Sequence, residues 1–181
     1  KYLKIIEKCY KQVTFFRLWH SIEKRVLKGV KNMPRIYLSP SLQEYNLFVN
    51  GGTEEEYMNL IADAMEPYLI ASGIEFTRND PGQTLTEVIN ESNAGGYDLH
   101  LALHSNAAPP SLAGQLRGTD VYYWYDSKWG KAAADIIAEN FKEIYPDSNR
   151  VRAVPSSTLR ELRRTYAPSV LVEVAYHDNP D

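Results

Sequence analysis

The chain predicts an α/β fold, a mainly parallel twisted sheet with helices on both faces. Two observations carry this expectation. Short apolar runs of strand length alternate along the chain with helix-length amphipathic segments, the pattern of βα units that build a parallel sheet. Turn and stop residues (Pro40, Gly73, Gly95-Gly96, Pro146, Pro168) fall between them and punctuate each change of period.

Taken in order, Arg35 to Ser39 reads as a short buried strand closed by Pro40, and a polar loop then runs to the turn at Asn50-Gly51-Gly52. Thr53 with Glu56 three residues on is a capping box, so a helix begins there. Met58, Ile61, Ala62, Met65 and Leu69 supply its buried stripe, Pro67 is expected to kink it and Gly73 to end it. Ile74 to Thr77 is the next strand, and Leu85 to Ser92 a second helix running out at Gly95-Gly96. Asp98 to Ala107 is the central strand and its exit, with Leu99, Leu101 and Leu103 alternating with His100, Ala102 and His104. Gly118 to Tyr125 is a strand rich in β-branched and aromatic residues. Ala132 to Ile144 is an Ala-rich helix stopped by Pro146. Arg150 to Val154 reads as a short strand, Leu159 to Arg164 as a short helix or turn, and Ser169 to Val174 as the last strand.

At 181 residues and 44% hydrophobic, the chain fits one ordinary domain with a sizeable core. No apolar run reaches the roughly 18 residues of a membrane span. A single cysteine, Cys9, excludes an internal disulfide framework and multi-cysteine zinc modules. The net charge of -3 conceals two unlike parts: residues 1–33 hold nine Lys+Arg against two Asp+Glu, leaving eleven against twenty-one for residues 34–181. The larger part is therefore acidic, which argues against nucleic acid as a partner.

Residues 1–33 form a basic extension with apolar residues at 15, 18, 19, 22 and 26 on one helical face. Such a helix suits a membrane surface. The alternative is read-through from upstream of a true start at Met33, which directly precedes the first strand. Charges interrupt every stretch that could serve as a secretory h-region.

Three chemically capable groups fall at one edge of the predicted sheet. His104 ends the central strand, where ligands bind in open α/β sheets. Glu173 lies near the end of the last strand between Val172 and Val174, a place costly for a carboxylate unless paired, protonated or bound to a cation. Glu55 lies in the first turn of the helix after the first strand, with Glu54 and Glu56 beside it as alternatives. Histidine and glutamate ligands with a further glutamate as base are the chemistry of a zinc hydrolase, in which the ion lowers the pKa of its water to about 7. The aromatic run Tyr122 to Tyr125 reads as strand core, with a sugar-binding wall as the alternative.

Ile36-Tyr-Leu-Ser-Pro, Gln43-Glu44, Glu55-x-x-x-Asn59, His104-Ser-Asn-Ala107 and Leu171-Val-Glu-Val174 with Asn179 resemble the zinc-dependent N-acetylmuramoyl-L-alanine amidases, the Amidase_3 family. The similarity runs from about residue 34 to the end. It implies a peptidoglycan hydrolase that cleaves the amide between N-acetylmuramic acid and L-alanine, working at the cell wall or outside the cell. It also implies Zn2+ as cofactor, Glu55 and His104 as ligands, Glu173 as catalytic acid/base, and a further helix after Asp181. Asn106, beside the same strand end, is the candidate for hydrogen bonding to substrate. The family's first ligand is a histidine whose matching position is Tyr45, and a neutral tyrosine is a poor zinc ligand. His177 and Glu44 are the candidate replacements, whereas His100 lies about 13 Å from His104 along the strand. The other reading is an amidase-fold module that binds peptidoglycan or regulates without metal.

Overall fold

A computed structural model describes residues 33–180, so the basic segment 1–32, with its helical and read-through readings, lies outside the described residues. Six strands form one sheet: β1 (Arg35–Pro40), β2 (Glu75–Arg78), β3 (Leu99–Asn106), β4 (Thr119–Trp124), β5 (Val151–Ser156) and β6 (Ser169–Tyr176). Their order is β2-β1-β3-β6-β4-β5. All neighbours run parallel except β4 against β6. The helices are α1 (Glu54–Ala71), α2 (Leu85–Gly95), α3 (Lys128–Lys142) and the five-residue α4 (Arg160–Arg164).

Both long helices near the chain start are fixed by capping boxes. Thr53 and Glu56 exchange hydrogen bonds of 3.1 and 2.8 Å, and Thr84 and Glu87 repeat the device. Gly96 adopts the left-handed conformation that ends α2. Helix α1 continues through Pro67 to Ala71. Helix α3 begins a turn before the predicted Ala132, because Ser127 caps it through the Gly130 N–H.

Period-2 alternation sends the two faces of the strands to different cores. Ile36, Leu38, Leu101, Leu103, Val121, Tyr123, Val170 and Val172 pack with Met58 and Ala62 of α1 and Ala134 and Ile137 of α3 in the main core. On the other face Ala102 and Leu171 meet Leu162 of α4, with Tyr122 and Trp124 packed against them. Helices thus cover both faces, as the sequence predicts. The aromatic run of β4 is divided likewise: Tyr123 is buried, whereas Tyr125 is exposed. Because β4 runs against β6, Tyr125 lies at the sheet edge opposite the carboxyl end of β3, away from His104.

Register then builds the edge that matters. His104 of β3 pairs with Glu173 of β6, and Glu173 with Asp120 of β4, so their side chains emerge side by side on the α2/α4 face. Just beyond, the one residue between His104 and Asn106 (Ser105) opposes the two between Glu173 and Tyr176 (Val174 and Ala175). That irregularity is a bulge in β6, a device that re-aims side chains beside functional sites.

Candidate active site at the carboxyl edge of the sheet

Three consecutive glutamates open α1, and each does something different. Glu56 closes the capping box. Glu55 is half-buried and accepts from the Asn59 side chain one turn on, at 3.0 Å. Glu54, the first helical residue, is fully buried and faces His104, with Oε1 2.9 Å from Nδ1. Its other oxygen accepts from Asn46 Nδ2 at 2.6 Å, and the Ser105 N–H reaches Oε1 at 3.3 Å. Of the three glutamates, Glu54, the neighbour of the expected Glu55, is the one that lies beside His104. One step around a helix turns a side chain by about 100°, and the capping box fixes which glutamate points outward.

His104 sits between two carboxylates. Glu54 faces Nδ1, and Glu161 Oε2 of α4 lies 3.6 Å from Nε2. Burial alone would pull this imidazole down, but the Glu161 and Glu54 carboxylates outweigh it and hold it up at about 10. On Glu54 burial acts upward, yet the hydrogen bonds from His104 and Asn46 keep its carboxyl below the usual range.

Glu173 differs from both. Its Oε2 is buried with no hydrogen-bond partner, and no arginine pairs with it among the described residues. Burial pushes its carboxyl up to about 7, with the neighbouring Glu54 and Asp120 charges adding to the effect and His104 opposing it. A carboxyl poised near neutrality beside an imidazole and a second carboxylate is a competent proton carrier.

The remaining sequence candidates are placed as follows. Tyr45 is 77% exposed, and its hydroxyl donates to Gln43 Oε1 at 3.1 Å. Gln43, not Tyr45, lines the third side of the pair: its amide nitrogen lies 3.1 Å from His104 Nδ1 and 3.3 Å from Glu54 Oε1. Glu44 is exposed in the same loop. His177 is buried against Phe48, with Nδ1 3.0 Å from Ser105 Oγ, and fastens the end of β6 to the site loop. Asn106 turns its side-chain oxygen to the Ala107 N–H at 2.8 Å. Asn179 bonds the carbonyls of Gly114 and Leu116, and the Asp178 carboxylate accepts from the N–H groups of Ala108 and Gly114. The chain after β6 thereby clamps the loop that follows β3.

Sequence reasoning passes over Glu161, and it meets Gln43 only within the Gln43-Glu44 motif, without a role. Glu161 is the lone acid between Arg150 and Glu173, beside the inward-facing Leu162. A lone buried-side acid in a basic stretch is the signal that marks it.

Zinc fits this edge in kind. Glu54 and His104 offer a carboxylate and an imidazole, the second ring nitrogen faces another carboxylate as metal-binding histidines require, and Glu173 brings an unsatisfied buried oxygen. Among the described residues no group of three His, Cys, Asp or Glu side chains stands ready to hold a metal ion, and the Gln43 amide nitrogen lies against the Glu54–His104 pair on its third side.

Comparison with known proteins follows the same lines. A family model described as N-acetylmuramoyl-L-alanine amidase, Amidase_3, matches residues 43–181. The chain is 29% identical over 169 residues to N-acetylmuramoyl-L-alanine amidase LytC of Bacillus subtilis (strain 168), covering 88% of this chain and 33% of that protein. It spans about a third of that relative's length. Among solved structures, N-acetylmuramoyl-L-alanine amidase AmiC2 of Nostoc punctiforme superposes with a TM-score of 0.69 at 18% identity, covering 84% of each chain. The catalytic domain of CwlV, N-acetylmuramoyl-L-alanine amidase from Bacillus (Paenibacillus) polymyxa var. colistinus, gives 0.68 at 17% identity, covering 81% of this chain and 83% of that one. These likenesses share the fold.

Proposed function

Since the chain belongs to the N-acetylmuramoyl-L-alanine amidase family Amidase_3, we propose that it hydrolyses the amide joining N-acetylmuramic acid to L-alanine in peptidoglycan, with Glu173 as the acid/base. The observation that carries this reading is the Glu173 carboxyl, whose Oε2 is buried without a hydrogen-bond partner and which is held near neutrality next to the Glu54–His104 pair. In this reading Glu54 and His104 hold a zinc ion, in place of the Glu55 and Tyr45 assignments. A bound zinc supplies Lewis acidity to the scissile carbonyl and acidifies water.

The chain's own residues do the rest. Glu173 takes a proton from water as the new C–O bond forms at the lactyl carbonyl. It delivers that proton to the nitrogen as the C–N bond breaks, so L-alanine leaves with a free amino group. Glu54 meets His104 at Nδ1, and Asn106 offers its amide N–H2 to the substrate, its oxygen being engaged with Ala107. The acidic balance of residues 34–181 suits a neutral or zwitterionic glycopeptide better than a polyanion. Peptidoglycan as substrate places the activity at the cell wall, and no helix among the described residues is long and apolar enough to cross a membrane.

Mass spectrometry of purified peptidoglycan digested by the zinc-supplemented protein tests the bond assignment. Peptides beginning with a free alanine amine, with lactyl carboxyls left on intact glycan, are the expected products. New reducing sugar ends, or cleavage within the peptide, would overturn it.

A further inference from the structure

We infer that Glu161 is a positioning residue for His104: its buried carboxylate holds the Nε2 edge of the imidazole and so aims Nδ1 at Glu54. This rests on the reading of that edge as the hydrolytic centre.

Glu161 comes from the short α4, outside the strands that carry His104 and Glu173, and is buried. A buried carboxylate must be satisfied from several sides. Oε1 accepts from Ser39 Oγ at 2.6 Å and from His100 Nε2 at 2.8 Å. His100 is itself fixed: Ser92 Oγ lies 2.9 Å from its Nδ1, and its ring stacks on Tyr37 with centroids 5.3 Å apart and planes 9° from parallel. A carboxylate only accepts, so His100 presents Nε2–H to Glu161 and Nδ1 faces the Ser92 hydroxyl. These contacts anchor one oxygen of Glu161 and leave Oε2 directed at His104 Nε2, 3.6 Å away. That spacing is of ion-pair range, longer than a direct hydrogen bond.

The consequence concerns which ring nitrogen of His104 faces the site. The hydrogen bond or charge at one imidazole nitrogen decides which nitrogen is left for a ligand. With Glu161 at Nε2, that nitrogen keeps its proton when Nδ1 gives up its own to a ligand, and Nδ1 is kept toward Glu54. His100, four residues back along β3 and on the same face, lies at the far oxygen of that carboxylate rather than against Glu54. Through Glu161 it is nonetheless tied to that site, a role for the second histidine of the strand that the hydrolytic chemistry leaves unused.

The test compares Glu161→Gln with Ser92→Ala, which disturbs the far end of the same buried chain without touching Glu161. The first measurement is the His104 Nε2–H resonance in the nitrogen-15-labelled, chelator-treated full chain, which depends on no metal. The second is zinc affinity by competition with a chromophoric chelator. Glu161→Gln should lose the resonance to solvent exchange and weaken zinc binding about 10- to 100-fold. Ser92→Ala should keep the resonance and bind zinc within about twofold of the unaltered chain. A Glu161→Gln chain that keeps the resonance overturns the inference. If the unaltered chain binds no zinc, the metal part of the proposed function fails and the resonance alone decides this inference. Should Glu161→Gln not fold, Glu161→Asp replaces it: the shorter side chain withdraws from His104, and a retained resonance is again the contrary result.

Discussion

Replacing Glu54 by Gln, with Glu55→Gln as its twin, separates two adjacent residues of identical chemistry. The Glu54 carboxylate receives two short charge-assisted hydrogen bonds, from His104 Nδ1 at 2.9 Å and Asn46 Nδ2 at 2.6 Å, and is fully buried. Hydrogen bonds to charged groups contribute about 1.5–3 kcal/mol each. The amide keeps one accepting oxygen, so one bond survives without its charge assistance. The other becomes a donor facing a donor. A loss of about 2–4 kcal/mol follows for Glu54→Gln. Glu55 makes side-chain contact with Asn59 at 3.0 Å on the half-buried flank of α1, so Glu55→Gln should cost no more than about 0.5 kcal/mol. Urea unfolding of both variants at pH 7 in the presence of chelator, read as a change in midpoint at a common slope, gives the two values. A Glu55→Gln loss equal to or above that of Glu54→Gln would refute the assignment of Glu54 to the site.

Other consequences are open to measurement. Tyr45→His should tighten zinc binding at least about tenfold, because an exposed phenol bonded to Gln43 gives way to a side chain that can complete three protein ligands; unchanged affinity would show that position 45 does not reach the ion. Asp178→Asn should loosen the loop after β3, seen as faster amide exchange at Ala108 and Gly114, whose N–H groups the carboxylate accepts; unchanged exchange would contradict the clamp. The same variant tests a pH dependence. Burial pushes the Asp178 carboxyl up, but those two backbone N–H groups outweigh it and lower it overall. Its stabilising contribution is therefore present above the usual aspartate value and is lost as pH falls through the lowered one. The stability difference between the unaltered chain and Asp178→Asn should shrink in acid, and a difference that grows on acidification would reverse that sign. Thr53→Ala should cost about 1 kcal/mol by opening the capping box that sets the phase of the three glutamates; a cost near zero would remove the box as that phase's determinant.

How much of this was legible beforehand depended on whether the signal was local. Strand alternation at Leu99–His104 and the Thr53 box are short-range patterns, and both elements form where those patterns place them. The reversed direction of β4 is not local: Thr119–Trp124 has the same composition whether it runs with β6 or against it, and register alone decides that Tyr125 lies away from His104. Glu54 against Glu55 turns on about 100° of helical phase, below what three identical neighbours reveal. Glu161 and Gln43 reach His104 from segments 57 residues later and 61 earlier, so only the closed fold brings them there. The Glu173 carboxylate was readable because an acid flanked by valines in a strand is expensive wherever the chain goes.

The most direct test of the account is the rate at which Glu173→Gln releases alanine amino termini from purified peptidoglycan, relative to the unaltered chain at the same zinc loading. Glu173 has no hydrogen-bond partner for Oε2 to lose, so the fold should persist in the variant. With the proton carrier gone, the rate should fall by about a hundredfold or more. Equal rates from a folded Glu173→Gln chain would contradict the claim that this carboxyl moves the proton.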